Sequence, residues 1–194
     1  MDTESLILNG GTVMQKKLLR WELLSFLFVG LFGTLLHFVY EWTGCSPLAA
    51  AFSAVNESTW EHMKLLFVPY FLFTLVQFPV FADPLRNFFA VKSTAMLLGL
   101  LSIPTLFYTL NGMFGKTPDW VNIAIFFLAD ALTCFVSFHM LRRGSLRGGA
   151  WQTVGFLILW LTAFSFVYFT YRPPMLPLWQ DPTNGLYGLA AHSA

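Results

Sequence analysis

Five runs of about twenty apolar residues, separated by short polar segments, leave this chain few ways to fold. The first, residues 21–42, has tryptophan at both ends and only Glu22, His37 and Glu41 as titratable groups short of its tyrosine. A helix of that length rises about 30 Å, the thickness of a bilayer's hydrocarbon core. Paired tryptophans suit the two membrane–water interfaces. Four similar runs follow, at about 60–81, 88–110, 120–141 and 151–171. Lipid offers backbone amides no partners, so such runs must form helices that satisfy their own hydrogen bonds. The predicted class is an all-α integral membrane protein with five transmembrane helices. One short interfacial or re-entrant helix is expected at about 46–55, with Ser46 as its cap and Pro47 at its first position.

Composition agrees. Hydrophobic residues make up 56% of the 194 positions and charged residues 11%, against about 25% charged in ordinary globular domains. The net charge of +1 gives no electrostatic footprint for nucleic acid. The expected organisation is a flexible tail over 1–15, a five-helix membrane domain over 16–172 and an irregular extracytoplasmic tail over 173–194. Met14, just ahead of Lys16, Lys17 and Arg20, is an alternative start. Cys45, at one face, and Cys134, about 20 Å deep in a helix, are not expected to pair.

Orientation follows from the basic residues. Eight of the eleven fall on one side: Lys16, Lys17, Arg20, Arg86, Lys92, Arg142, Arg143 and Arg147. Lys64, Lys116 and Arg172 fall on the other. The amino terminus is therefore expected inside and the carboxyl terminus outside.

The helical period sorts the polar residues within the spans. Glu22, Ser25, Val29, Gly33, His37 and Glu41 share one face of the first. Asn122, Phe126, Asp130, Thr133 and Ser137 do so in the fourth. Tyr70, Thr74 and Gln77 mark the second span, Ser102, Thr105 and Thr109 the third, Thr162 and Ser165 the fifth. A bundle with a polar interior is the expected result. Asp130 lies near the bilayer centre, where a carboxylate costs about 2.5–3.5 kcal/mol, so an ion-binding role competes with service as helix glue. Its depth is close enough to that of His37 for the two to couple.

The densest charge lies in Asn56-Glu57-Ser58-Thr59-Trp60-Glu61-His62-Met63-Lys64. Ser58 and Glu61 have the spacing of a capping box. Glu57, Glu61 and Lys64 share a face and suit a surface ion-pair ladder. The candidate ligand- or ion-binding residues are His37, Glu41, Glu57, Glu61, His62 and Asp130. His37, Glu41, Glu57 and His62 have the chemistry of divalent-metal ligands, although no HxxxH, HExxH or ExxH spacing accompanies them.

These residues also carry a resemblance. Leu36-His37-Phe38-Val39-Tyr40-Glu41-Trp42, the stretch from Phe52 to Lys64, and a tail with Pro173-Pro174, Pro177-Leu178, Asp181-Pro182 and Gly185-Leu186-Tyr187-Gly188 resemble a family of small bacterial integral-membrane proteins of unknown function. The likeness runs from about Leu18 to Leu189. It implies a bacterial inner membrane and no particular activity. Ser58, His62 and Asp130 also echo membrane hydrolases that bind zinc, but the late histidine pair and two of seven spans are absent.

Three functions remain in play. The first is binding or transport of a cation or small polar ligand through the His/Glu cluster and Asp130. The second is a metal-dependent hydrolase acting on a lipid-like substrate. The third is an accessory subunit, working with a partner membrane protein or as a homo-oligomer.

Overall fold

The computed structural model describes residues 3–81 and 85–192, with side chains from residue 12 to 191. Six α-helices follow in order: α1 Thr3–Trp42, α2 Pro47–Ala50, α3 Thr59–Phe81, α4 Phe88–Phe114, α5 Asp119–Arg143 and α6 Gly149–Tyr171. Two 3-10 turns, Pro177–Trp179 and Gly188–His192, end the chain. Among the described residues there is no strand, only an isolated bridge between Gln180 and Tyr187. α1 and α3 to α6 are long and apolar enough to cross a membrane, with mean hydropathy between 1.5 and 2.0 in each. The all-α, five-span architecture with a short extra helix is thus present. The expected mobile segment, 1–15, falls mostly outside the described side chains.

The extra helix is shorter than expected, four residues in place of ten. Pro47 occupies its first turn, but the Ser46 side chain makes no capping bond. The Ser53 hydroxyl donates to Ala49 O at 2.7 Å, folding the following residues into turns. At α5 the cap is Pro118, and the Thr117 hydroxyl does not cap the helix. Asn111 at the end of α4 takes Thr117 instead, accepting its N–H at 3.0 Å and its hydroxyl at 3.2 Å.

The spans alternate in direction, which gives the bundle two distinct ends. The tail end gathers the C-termini of α1, α4 and α6, the N-termini of α3 and α5, and the chain beyond Tyr171. The basic end gathers Arg86, Arg142, Arg143 and Arg147 with the opposite termini. α1 packs on α3 and α5, α4 on α3 and α5, and α6 lies outside against α4 and α3. α3 is the central helix: fourteen of its 23 residues are buried, against four of 23 in α6. A helix apolar all round belongs inside. Where α6 meets α4, a Cβ on Gly155 would lie 2.6 Å from the Ala90 backbone, so only glycine permits the contact.

The predicted inner faces of α1, α3 and α5 are buried over most of their length and open at the tail end, where His37, Asn122 and Phe126 are only half-buried and Glu41 is exposed. Glu22, Ser25, Val29, Gly33, Tyr70, Thr74, Gln77, Asp130, Thr133 and Ser137 all point inward. The stripes expected on α4 and α6 do not form: Thr105 and Thr109 are exposed, and Ser102, Thr162 and Ser165 only half-buried. Ser102, Thr105, Thr162 and Ser165 bond carbonyls three or four residues back on their own helices, which satisfies them without a partner helix.

Pro69 lies inside α3 and has no N–H, so the carbonyl of Leu65 loses its helical donor. That carbonyl lies against Gly33 of α1, 2.7 Å from where a Cβ would stand. Phe126 closes on the same point, 2.6 Å away. The bare glycine lets α1, α3 and α5 converge there.

Candidate functional site

The stretch that begins α3 is held by its own side chains. Asn56 donates through Nδ2 to Gly188 O at 3.0 Å and accepts the Ser58 N–H at 2.9 Å. Ser58 Oγ takes the Glu61 N–H at 3.4 Å. Only half of the capping box forms, because the Ser58 N–H is already taken by Asn56 and Glu61 turns inward. Glu61 Oε2 meets Lys64 Nζ at 2.6 Å and the Val55 N–H at 3.2 Å. Thr170 Oγ1 lies 3.1 Å from Glu61 Oε1 and 2.8 Å from Lys64 Nζ, which also donates to Ala50 O at 2.9 Å.

Both side chains are wholly buried, so the expected surface ladder is overturned. In a low-dielectric interior a lysine and a glutamate one turn apart are better joined to each other than exposed to lipid. Glu61 is therefore a structural residue. It ties α2, α3 and α6 together and faces neither cavity at this end.

Glu57 precedes the helix and stays half-exposed. Its N–H donates to Asp181 Oδ2 at 3.1 Å. Its two carboxylate oxygens face two imidazoles: His37 Nε2 lies 3.6 Å from Oε1, and His62 Nε2 lies 3.6 Å from Oε2. The two rings are 5.6 Å apart between centroids. His62 Nδ1 is 3.0 Å from Ser58 O, a carbonyl that can only accept, so Nδ1 carries the hydrogen. In neutral His62 the lone pair of Nε2 then points at a carboxylate. Two acceptors in that relation need a proton, a donor or a cation between them.

Two cavities flank Glu57. The larger, about 190 Å³, is walled by Glu57 and His62, by Asn111 and Lys116 at the end of α4, and by Asp119 and Asn122 at the start of α5. Ile103, Phe107, Ile125 and Phe126 make an apolar floor, and Pro182 and Thr183 of the tail close one side. The smaller, about 90 Å³, lies between His37, Glu41 and Glu57. Glu41 is exposed and makes no ion pair among the described residues; His37 turns to Glu57 instead.

A turn at 181–185 supplies that tail wall. Asp181 Oδ1 accepts the Thr183 N–H at 2.7 Å, the Asp181 carbonyl accepts the Gly185 N–H at 2.8 Å, and Gly185 adopts φ +76°. Trp179 packs against Trp60 with their rings tilted and their centroids 4.8 Å apart, fastening the tail to α3.

Asp130 is not brought to this site. It is fully buried, its Oδ1 accepts the Cys134 thiol at 3.7 Å, and Oδ2 has no partner among the described residues. Among the described residues no hydrogen bond or ion pair joins it to His37. Nor, among them, is any group of three or more His, Cys, Asp or Glu side chains arranged to hold a metal ion. Cys45 and Cys134 are both free, one exposed and one buried.

Sequence reasoning missed a second buried pair. Lys92 Nζ meets Glu22 Oε1 at 2.7 Å, with neither side chain accessible to any extent. Lys92 and Lys64 were both counted above as surface charges. A lysine inside an apolar span calls for an acid partner, and Glu22 was already on an inward face.

The comparisons agree with the fold and stop short of an activity. No curated protein and no solved structure matches this chain. Residues 12–189, nearly its whole length, match the model of DUF6512, a family of unknown function. The chain is a multi-pass membrane protein and belongs to that family.

Proposed function

We propose that this protein binds a small polar ligand bearing a positive charge at the tail end of the bundle, with Glu57, His37 and His62 as its receivers. The observation behind this reading is the Glu57 carboxylate facing the Nε2 lone pair of His62, whose other nitrogen is committed to Ser58 O. An ammonium group placed between them satisfies both acceptors and reaches His37 from the same side. The neighbouring 190 Å³ equals about six water molecules at ~30 Å³ each, room for a ligand of several heavy atoms. Asn111, Lys116, Asp119 and Asn122 offer it further polar contacts over an apolar floor.

The basic-residue bias supports placing this end outside. With the buried Lys64 and Lys92 withdrawn, seven basic residues (8 − 1) remain at one end and two (3 − 1) at the other. That orientation suits a ligand arriving from outside a bacterial inner membrane. The metal-hydrolase and accessory-subunit readings draw no comparable support from the geometry.

Calorimetric titration of the purified full chain with ethanolamine tests the proposal. Saturable binding is expected, with at least tenfold weaker affinity in Glu57→Gln and in His62→Ala. Saturable binding of zinc without any of ethanolamine would reassign the cation as a metal ion. Wild-type protein that binds neither would end the reading.

A further inference from the structure

We propose that Asp130 and the Glu22–Lys92 pair form a proton relay through the half of the bundle nearer the basic end. The pieces lie on facing helices. On α5, Asp130, Cys134 and Ser137 follow at intervals of four and three, stacking a carboxyl, a thiol and a hydroxyl along about 10 Å of one face. On α1, Glu22 and Ser25 share the facing side. Glu22 Oε1 accepts from Lys92 Nζ at 2.7 Å and from Ser137 Oγ at 3.0 Å, which links α1, α4 and α5. Tyr70 of α3 closes the group, near enough to Glu22, Asp130, Cys134 and Ser137 to interact with each. Tyr70 and Cys134 are the titratable groups beside Asp130, and Glu22 and Lys92 lie beyond them within electrostatic range of Cys134, so every helix packed against α5 contributes one.

Hydrogen-bond accounting separates this group from inert glue. Among the described residues the buried oxygens Asp130 Oδ2 and Glu22 Oε2 have no hydrogen-bond partner, and Ser25 Oγ has only the Cys134 thiol beside it. A carboxylate oxygen left unmet in lipid's interior costs more than the unmet hydroxyl or amide oxygens of Thr74, Gln77 and Asn87 elsewhere in the bundle. Asp130 Oδ2 and Glu22 Oε2 can each accept a proton or a hydrogen bond from water passing between them.

Charge points the same way. Lys92 offsets Glu22, while Asp130 has no cation at ion-pair distance among the described residues. One more positive charge completes the group, and the smallest is a proton on Asp130 Oδ2. Uptake converts that carboxylate to the acid, release regenerates it, and Glu22 Oε2 is the next acceptor.

The position suits passage across the membrane. Phe126, which lines the large cavity, precedes Asp130 by one turn, about 6 Å. At the other extreme, Lys92 lies four residues inside the start of α4, about 6 Å from the basic end. The relay rests on Glu22, Lys92 and Asp130 and does not depend on what the cavity binds.

Proton flux into sealed phosphatidylcholine liposomes tests it, using the full chain, a trapped pH-sensitive dye and a valinomycin-clamped potassium potential. Wild type is expected to exceed protein-free liposomes at least tenfold, and Asp130→Asn to fall to background. Asp130→Glu, which keeps a titratable group in place, is expected to recover flux, so that misfolding of the asparagine variant does not decide the outcome. Wild-type flux at background, equal flux in Asp130→Asn, no recovery in Asp130→Glu, or sodium flux without a pH change each overturns the relay.

Discussion

Two lysine–glutamate pairs are buried in this bundle, one near each end, and they are finished differently. Around Lys64 and Glu61 every polar atom has a partner: Lys64 donates three times, and both Glu61 oxygens accept. Around Lys92 and Glu22 the count falls short. Lys92 makes one ion pair and otherwise lies over the Tyr70 and Phe88 rings, 5.4 and 5.9 Å from their centroids. Among the described residues Glu22 Oε2 is unmet. A buried ion pair repays its desolvation only when its remaining hydrogen-bonding capacity is filled. The first pair meets that condition and acts as a staple. The second does not, and the deficit is where a mobile proton or water finds a place.

Replacing Lys64 by Met tests the contrast most severely. It strands the Glu61 carboxylate in the interior and is expected to destabilise the protein by about 3–5 kcal/mol, read from unfolding in detergent micelles. Glu61→Leu with Lys64→Met is expected to recover much of that loss, since no charge is then left unpaired. Glu22→Gln should cost less, about 2 kcal/mol, because Lys92 keeps an acceptor and two aromatic faces. A cost equal to that of Lys64→Met would erase the distinction between the pairs. The bridging hydroxyls give the finest comparison: Thr170→Val is expected to cost about 1.5 kcal/mol and Ser137→Ala about 0.6 kcal/mol, the upper end and the mean for bonds between membrane helices. Reversal of that order would mean the Glu22 site is the tighter one.

Much of the architecture was legible in the residues. Long apolar runs dictate helices in lipid, and the period of 3.6 placed Glu22, Ser25, Asp130 and Ser137 on inward faces. The same logic failed for Ser102, Thr105, Thr162 and Ser165, because a hydroxyl that bonds its own helix has no need of the interior. Within 56–64 the spacing suggests a Ser58–Glu61 capping box and a surface ladder of Glu57, Glu61 and Lys64, and the fold sorts these residues differently. Asn56 and Ser58 shape the helix start, Glu61 and Lys64 go inside, and Glu57 and His62 remain at a cavity wall.

What local rules could reach was the set of elements and which side of each is polar. Choice of partner lay beyond them. That Glu61 meets Thr170, that Glu57 leans on Asp181, and that Glu22 finds Lys92 are contacts across 109, 124 and 70 residues. Periodicity places a residue on its own helix but says nothing of which helix stands opposite or at what height. Those choices follow from packing α3 at the centre of the bundle. Packing also decided which buried charges were satisfied and which were left open.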